Sequence, residues 1–168
     1  MRPHPSIQTN REIVALSLHQ PWATLMAVEA KRVETRSWST KYRGLVAIHA
    51  SKSLTRETKE LCGAYPFNQY VISPAHLPLQ KIIAVGKLIS CSKAESYKKY
   101  LENTKSKEAA SLELAFGDYS YGRWAWEFKD VVQLEKPIEI AGSLGLWELP
   151  EDIEEQILGI YRVSSKAA

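Results

Sequence analysis

The chain has 168 residues, 45% of them hydrophobic and 24% charged, and a formal net charge of +3. A chain of this size and make-up suits one domain, able to bury a core without metal or disulfide staples. It contains no apolar run long enough to span a bilayer, and so weak a positive balance does not by itself argue for an anionic partner.

Residues 1–12 read as a polar, flexible lead without the apolar core of a signal peptide. "EIVALSL", residues 12–18, alternates two apolar sets and predicts a largely buried first strand. In "HQPWATLMAVEA" Pro21 suits a first helical turn, where its missing N–H costs nothing, and Trp22, Leu25 and Met26 fall on one face. "KRVETRSW" predicts an extended segment, "STKYRG" a loop and "LVAIHAS" a central strand. A second helix is predicted in "SLTRETKELCGAY", with Ser53 or Thr55 as N-cap and Gly63 as its stop. A long strand is expected from about Lys81 to Cys91, with Gly86 marking a bulge or a close backbone approach.

Residues 95–123 are polar and form an insertion, partly helical near "SKEAASLELAF". "RWAWEFKDVVQLEKP" predicts a strand ending at Pro137, and the glycines of "IEIAGSLGLWELP" predict tight turns. A short amphipathic helix and tail close the chain over 151–168, acids in the first turn as the helix dipole prefers. The order, with few regular βα alternations, favours an α+β fold: a small curved sheet or barrel with two or three flanking helices. One main domain is expected over 13–150.

Cys62 and Cys91 stand alone, without CxxC or paired histidines. No metal, no cofactor and a cytoplasmic location are therefore expected. Basic residues concentrate between 31 and 59, where Lys31, Arg32, Arg36, Lys41, Arg43, Lys52, Arg56 and Lys59 face only Glu34 and Glu57.

The run from "LSLHQPW" to "LVAIHASK" resembles the start of an ASCH domain (activating-signal-cointegrator homology), a relative of the PUA domain with a small mixed β-barrel. The family pattern Gly-x-Lys-x-x-Glu-x-Arg is met by Lys31, Glu34 and Arg36. Gln-Pro-Trp at 20–22, Tyr-Arg-Gly at 42–44 and His-Ala-Ser-Lys at 49–52 also resemble one branch, and "GRWAWEF" and "GSLGLWEL" its closing strands. The family's glycine falls at Glu29. Glycine there would suit a helix stop with positive φ, which Glu29 does not adopt cheaply, so the helix is expected to run on or the turn to differ.

The resemblance implies a basic cleft beside Lys31, Glu34 and Arg36, with Glu34 orienting Arg36 and the cations meeting a phosphate or a base carbonyl. On a regular strand Lys31 and Glu34 would point to opposite faces, so their convergence requires a bend. Without the resemblance, Glu34 bridging a neighbouring arginine on a wet surface is the favoured reading. His49 reads equally as a hydrogen-bonded strand histidine and as an acid, base or base-contacting group. Trp126 and Trp147 are expected in the core, whereas Trp22 and Trp38 are candidates for a ligand wall. Gln20, Tyr42, Arg43, Ser51 and Lys52 complete the candidate ligand set, and Lys31, Glu34 and His49 the candidate catalytic one.

The preferred function is binding of RNA, another nucleic acid or a nucleotide-like ligand. The second is a small hydrolase. Some ASCH relatives resemble N4-acylcytidine amidohydrolases that use a lysine, a threonine and a glutamate. Lys31 matches that lysine but Glu34 stands at the threonine position, with Thr35 facing away and Glu34 or Glu127 as proton carrier. Other relatives resemble ribonucleases, for which Lys31, His49 and Tyr42 form a metal-free candidate set. A protein-interaction module of transcription coactivation ranks third. The sequence leaves open whether 95–123 covers the cleft as a lid.

Overall fold

The computed structural model describes residues 11–164, so most of the N-terminal lead lies outside the described residues. The strands are β1 (Ile13–Leu18), β2 (Val33–Arg36), β3 (Gly44–Ala50), β4 (Lys81–Lys93), β5 (Trp124–Glu139) and β6 (Leu146–Glu148). The helices are α1 (Trp22–Ala27), α2 (Arg56–Cys62), α3 (Ala94–Thr104), α4 (Lys107–Ala115) and α5 (Glu151–Ser164). The strands form one six-stranded sheet in the order β2-β5-β4-β3-β1-β6. It curls into a half-barrel, which gives the expected α+β class with five helices rather than two or three.

Alternation along β1 explains how both faces are filled. Val14, Leu16 and Leu18 join Ala23, Met26, Ile48, Trp126 and Phe128 in the core beneath α1. Ile13 and Ala15 join Ala47, Ile82, Val85 and Ile157 in the core beneath α5. A strand buried on both faces reads as a near-continuous apolar run, as β1 does. Its partner β3 lies parallel to it, with Ser17 in register with His49. Both residues belong to the α5 side, where polar groups replace the apolar ones as the strands end.

Gly86 lies at a register shift between Val85 and Lys87, and a methyl group on it would stand 2.9 Å from Val131 Cγ2. The bulge and the close approach are therefore one feature. β5 does not stop at Pro137 but runs on to Glu139. Between Ala84↔Gln133 and Ile82↔Ile138, residues 134–137 oppose a single β4 residue, so the missing proline N–H falls in an unpaired bulge. Thr55 caps α2 by accepting from Thr58 N–H, and Gly63 follows as its C-cap.

Two positions depart from expectation. Glu29 has φ of 57°, and α1 ends at Ala27 without running on. The glutamate takes the left-handed turn directly, its N–H donating to Met26 O. Residues 94–115 form two helices, more than the partial helix expected near "SKEAASLELAF", with Ala94, Tyr97, Leu101 and Ala110 packed against Val33 and Ala125. None of residues 95–123 lines the cleft at the ends of β1 and β3, so no lid over it is seen among the described residues.

Candidate functional site

The cleft of interest opens where the parallel strands β1 and β3 end. It encloses about 570 Å³ and is lined by Ser17, His19, Arg36, His49, Ser51, Lys52, Ser53 and Gln80, together with residues 141–145. Arginine and lysine supply its charge. Among the described residues the lining contains no carboxylate and no Phe, Tyr or Trp. A wall with cations, histidines, hydroxyls and exposed backbone but no acid is suited to an anion with additional hydrogen-bonding groups.

Arg36 is the last residue of β2, and its side chain is 23% exposed. Its Nη1 lies 3.6 Å from Glu34 Oε1, and its Nη2 donates to Ser17 O at 3.2 Å. Glu34 and Arg36 share a strand face by alternation. Behind them Lys31 is fully buried, at 0% exposure. Its Nζ donates to Val33 O and lies 3.5 Å from Glu34 Oε2. The predicted obstacle to convergence disappears because Lys31 precedes the strand, in the turn where its N–H donates to Leu25 O.

Lys31, Glu34 and Arg36 thus form a chain from core to cleft, and only Arg36 lines it. The turn is held from outside by Glu113 of α4, whose carboxylate accepts from Arg32 N–H and Val33 N–H. Burial raises the Glu113 carboxyl pKa, and the positive charge of Lys31 works against that rise.

His49 is 1% exposed. Its Nε2 lies 3.0 Å from Ile140 O, and its Nδ1 lies 3.0 Å from Ser17 Oγ. A carbonyl can only accept, so Nε2 carries the proton and Nδ1 accepts from the serine hydroxyl. Ser17 Oγ in turn accepts from Trp147 Nε1–H at 3.2 Å. Both ring nitrogens are thus used, and burial favours the neutral ring. Burial lowers its pKa, opposed by the bond to Ile140.

The other candidates divide. Ser51 and Lys52 line the cleft, and Ser51 Oγ lies 2.8 Å from Nδ1 of the exposed His19. Gln20 is fully buried; its amide donates to Pro78 O and accepts from Thr24 N–H, which fixes the start of α1. Trp22 packs edge-on against Phe67. Trp38 packs edge-on against Trp126, 4.5 Å between centroids, with the Arg36 guanidinium 5.9 Å from its ring. Neither tryptophan lines the cleft, so the expected ligand wall is not seen. Tyr42 donates to Leu45 O at 2.8 Å, and burial pushes its phenol up to about 12. Arg43 is exposed and donates to Thr40 O and Tyr42 O.

The basic run therefore disperses into different environments. Sequence reading missed Ser17, His19, Ser53, Gln80 and the glycine-rich wall. His19 stood next to the quoted Gln-Pro-Trp, but nothing local signalled that "AGSLG" would return to it. Among the described residues no cluster of His, Cys, Asp or Glu could hold a metal, and no helix is long and apolar enough to cross a membrane.

The ASCH domain profile matches residues 16–138. The chain belongs to the ASCH family. This ASCH domain is 37% identical over 87 residues to human activating signal cointegrator 1, covering 49% of this chain and 15% of that protein. It is 26% identical over 144 residues to the mouse protein of the same name, covering 83% of this chain and 23% of that one. The chain thus spans under a quarter of the length of these curated relatives. In fold it is similar to the ASCH protein of Zymomonas mobilis, with TM-score 0.50 and 14% identity, covering 90% of this chain and 96% of that one.

Proposed function

We propose that this ASCH domain binds RNA or another nucleic-acid-like polyanion in the cleft between the ends of β1 and β3 and residues 141–145. The observation that carries the reading is Arg36. It presents a guanidinium braced by Glu34 and Ser17 O at the surface of a cleft lined by no acid among the described residues. Lys52 and His19 at the same cleft supply further contacts for phosphate oxygens. Lys31 and Glu34 serve as positioning residues, and His49 holds the wall in shape.

The amidohydrolase reading gains no support from Lys31, whose amine is buried and bonded to Val33 O and Glu34. The name of the mammalian relatives, activating signal cointegrator, supports a protein-interaction role as the second reading. Fluorescence anisotropy of a single-stranded RNA across a salt series separates the two. Binding should weaken steeply with salt. Arg36→Ala should lower affinity and reduce the slope of log K against log salt by about one phosphate contact. Equal affinity and slope in the variant would remove the cleft assignment.

A further inference from the structure

Among the described residues Leu144 is the one large apolar side chain on the lining of the cationic cleft, and it is 89% exposed. Its sequence neighbours in "AGSLG" are the small residues alanine, serine and glycine. The loop that carries it is anchored at both ends. A methyl group on Gly142 would stand 2.4 Å from His49 Cε1 and 2.7 Å from Ser17 Oγ, so the backbone there lies directly on the bonded His49–Ser17–Trp147 group. Gly145, with φ of 69°, turns the chain back into β6. A leucine held at the tip of an anchored loop, on the same cleft lining as Arg36 and Lys52, is placed to press on whatever the cations hold.

We infer that Leu144 is a specificity-determining wedge: it enters between two adjacent bases of the bound strand and takes the place of one stacking neighbour. The inference rests on the nucleic-acid reading of the cleft. Among the described residues no Phe, Tyr or Trp lines the cleft; its rings are the imidazoles of His19 and His49, and Leu144 is the large apolar contact available to a base face. Arg36 and Lys52 hold phosphates without regard to sequence, while Leu144 favours steps that unstack at low cost, such as a mismatch.

The test uses the full chain and a duplex with one mismatched step, carrying the fluorescent base 2-aminopurine at each position in turn. Wild-type protein should raise fluorescence at one position, next to the mismatch, and bind this duplex more tightly than its matched counterpart. Leu144→Ser should abolish the rise and weaken binding by about tenfold, the loss of one well-buried aliphatic contact. Leu144→Phe, still a wedge, should keep both. The wedge is overturned if the wild type binds without any rise, or if Leu144→Ser raises fluorescence and binds as the wild type does. Loss of binding in Arg36→Ala leaves the cleft reading intact and isolates such a failure to Leu144. No binding of either duplex by the wild type overturns the wedge alone, whereas wild-type affinity in Arg36→Ala overturns the cleft reading and the wedge with it.

Discussion

Arg36 Nη2 donates to Ser17 O at 3.2 Å, although β2 and β1 are separated by three strands in the sheet order. The contact measures how far the sheet curls. The free edge at β2 comes round until its last side chain touches the strand that carries His49's partner. One backbone carbonyl and one serine hydroxyl therefore tie together the two halves of the site: the Lys31–Glu34–Arg36 chain on one side and the His49–Trp147 group on the other. Anything that loosens the curl separates the cation from the wall it faces.

Glu34→Gln separates orientation from charge. Removing a carboxylate beside the cleft makes the local field more positive, which alone would strengthen anion binding. If Glu34 acts by holding the guanidinium, affinity falls instead, because the pairing at 3.6 Å is lost. The expected result is a loss of roughly 1 kcal/mol, near the upper end for a partly screened pair. An anisotropy titration at fixed salt gives the sign, and a gain in affinity would contradict the positioning role.

Lys31→Met leaves Glu34 buried with Arg36 as its remaining cation. Breaking a buried pair from one side costs about 3–5 kcal/mol, and the presence of Arg36 places this case toward the lower end. Adding Glu34→Gln should recover part of that loss, because both desolvated charges are then gone. Urea denaturation of the two variants tests this. If Lys31→Met unfolds at the wild-type urea concentration, Lys31 is not the anchor of the chain.

Much of the frame was legible in local patterns. The two-residue alternation of β1, the cap at Thr55 and the bulge at Gly86 are each decided by neighbours in sequence, and each was found. The fate of Lys31 was not decided locally. Its burial depends on a turn that places it before the strand and on Glu113, 82 residues further on by numbering, bonding the strand's first N–H groups. The glycine-rich stretch read as turn chemistry, which is correct for Gly145. Its second role depends on the absence of a Cβ at Gly142 against a histidine nearly a hundred residues earlier in the chain. Tryptophans beside a charged motif suggested a stacking wall, but curling of the sheet turned Trp38 onto Trp126.

His49 makes stability depend on pH. Its pKa is lowered in the folded protein from 6.5, chiefly by burial. The unfolded chain therefore binds the proton more readily, and stability rises with pH wherever the unfolded histidine is protonated and the folded one is not. The contribution is fully present above pH 6.5 and is lost as pH falls below it toward the folded-state pKa. Denaturation midpoints measured from neutral to mildly acidic pH should decline for the wild type. His49→Gln should lower stability at neutral pH but flatten the decline in this window. An unchanged slope in the variant would assign the pH dependence to another group.

Glu29 offers a gain in stability at no expected loss of binding. It is exposed, its φ is 57°, and it lines neither the cleft nor the Lys31–Glu34–Arg36 chain. An L-residue other than glycine in this region brings Cβ close to the following carbonyl, at a cost of about 1–2 kcal/mol. Glycine removes that clash but loses more backbone entropy on folding, roughly 0.5–1 kcal/mol relative to alanine. The clash should outweigh the entropy, so Glu29→Gly is expected to stabilise the fold by about 0.5–1 kcal/mol. Glu29→Ala retains the Cβ and should gain little, which separates the backbone effect from removal of the charge. Thermal melts of the three proteins decide the matter: stabilisation in the alanine variant equal to that in the glycine variant would trace the effect to the carboxylate instead of the left-handed turn.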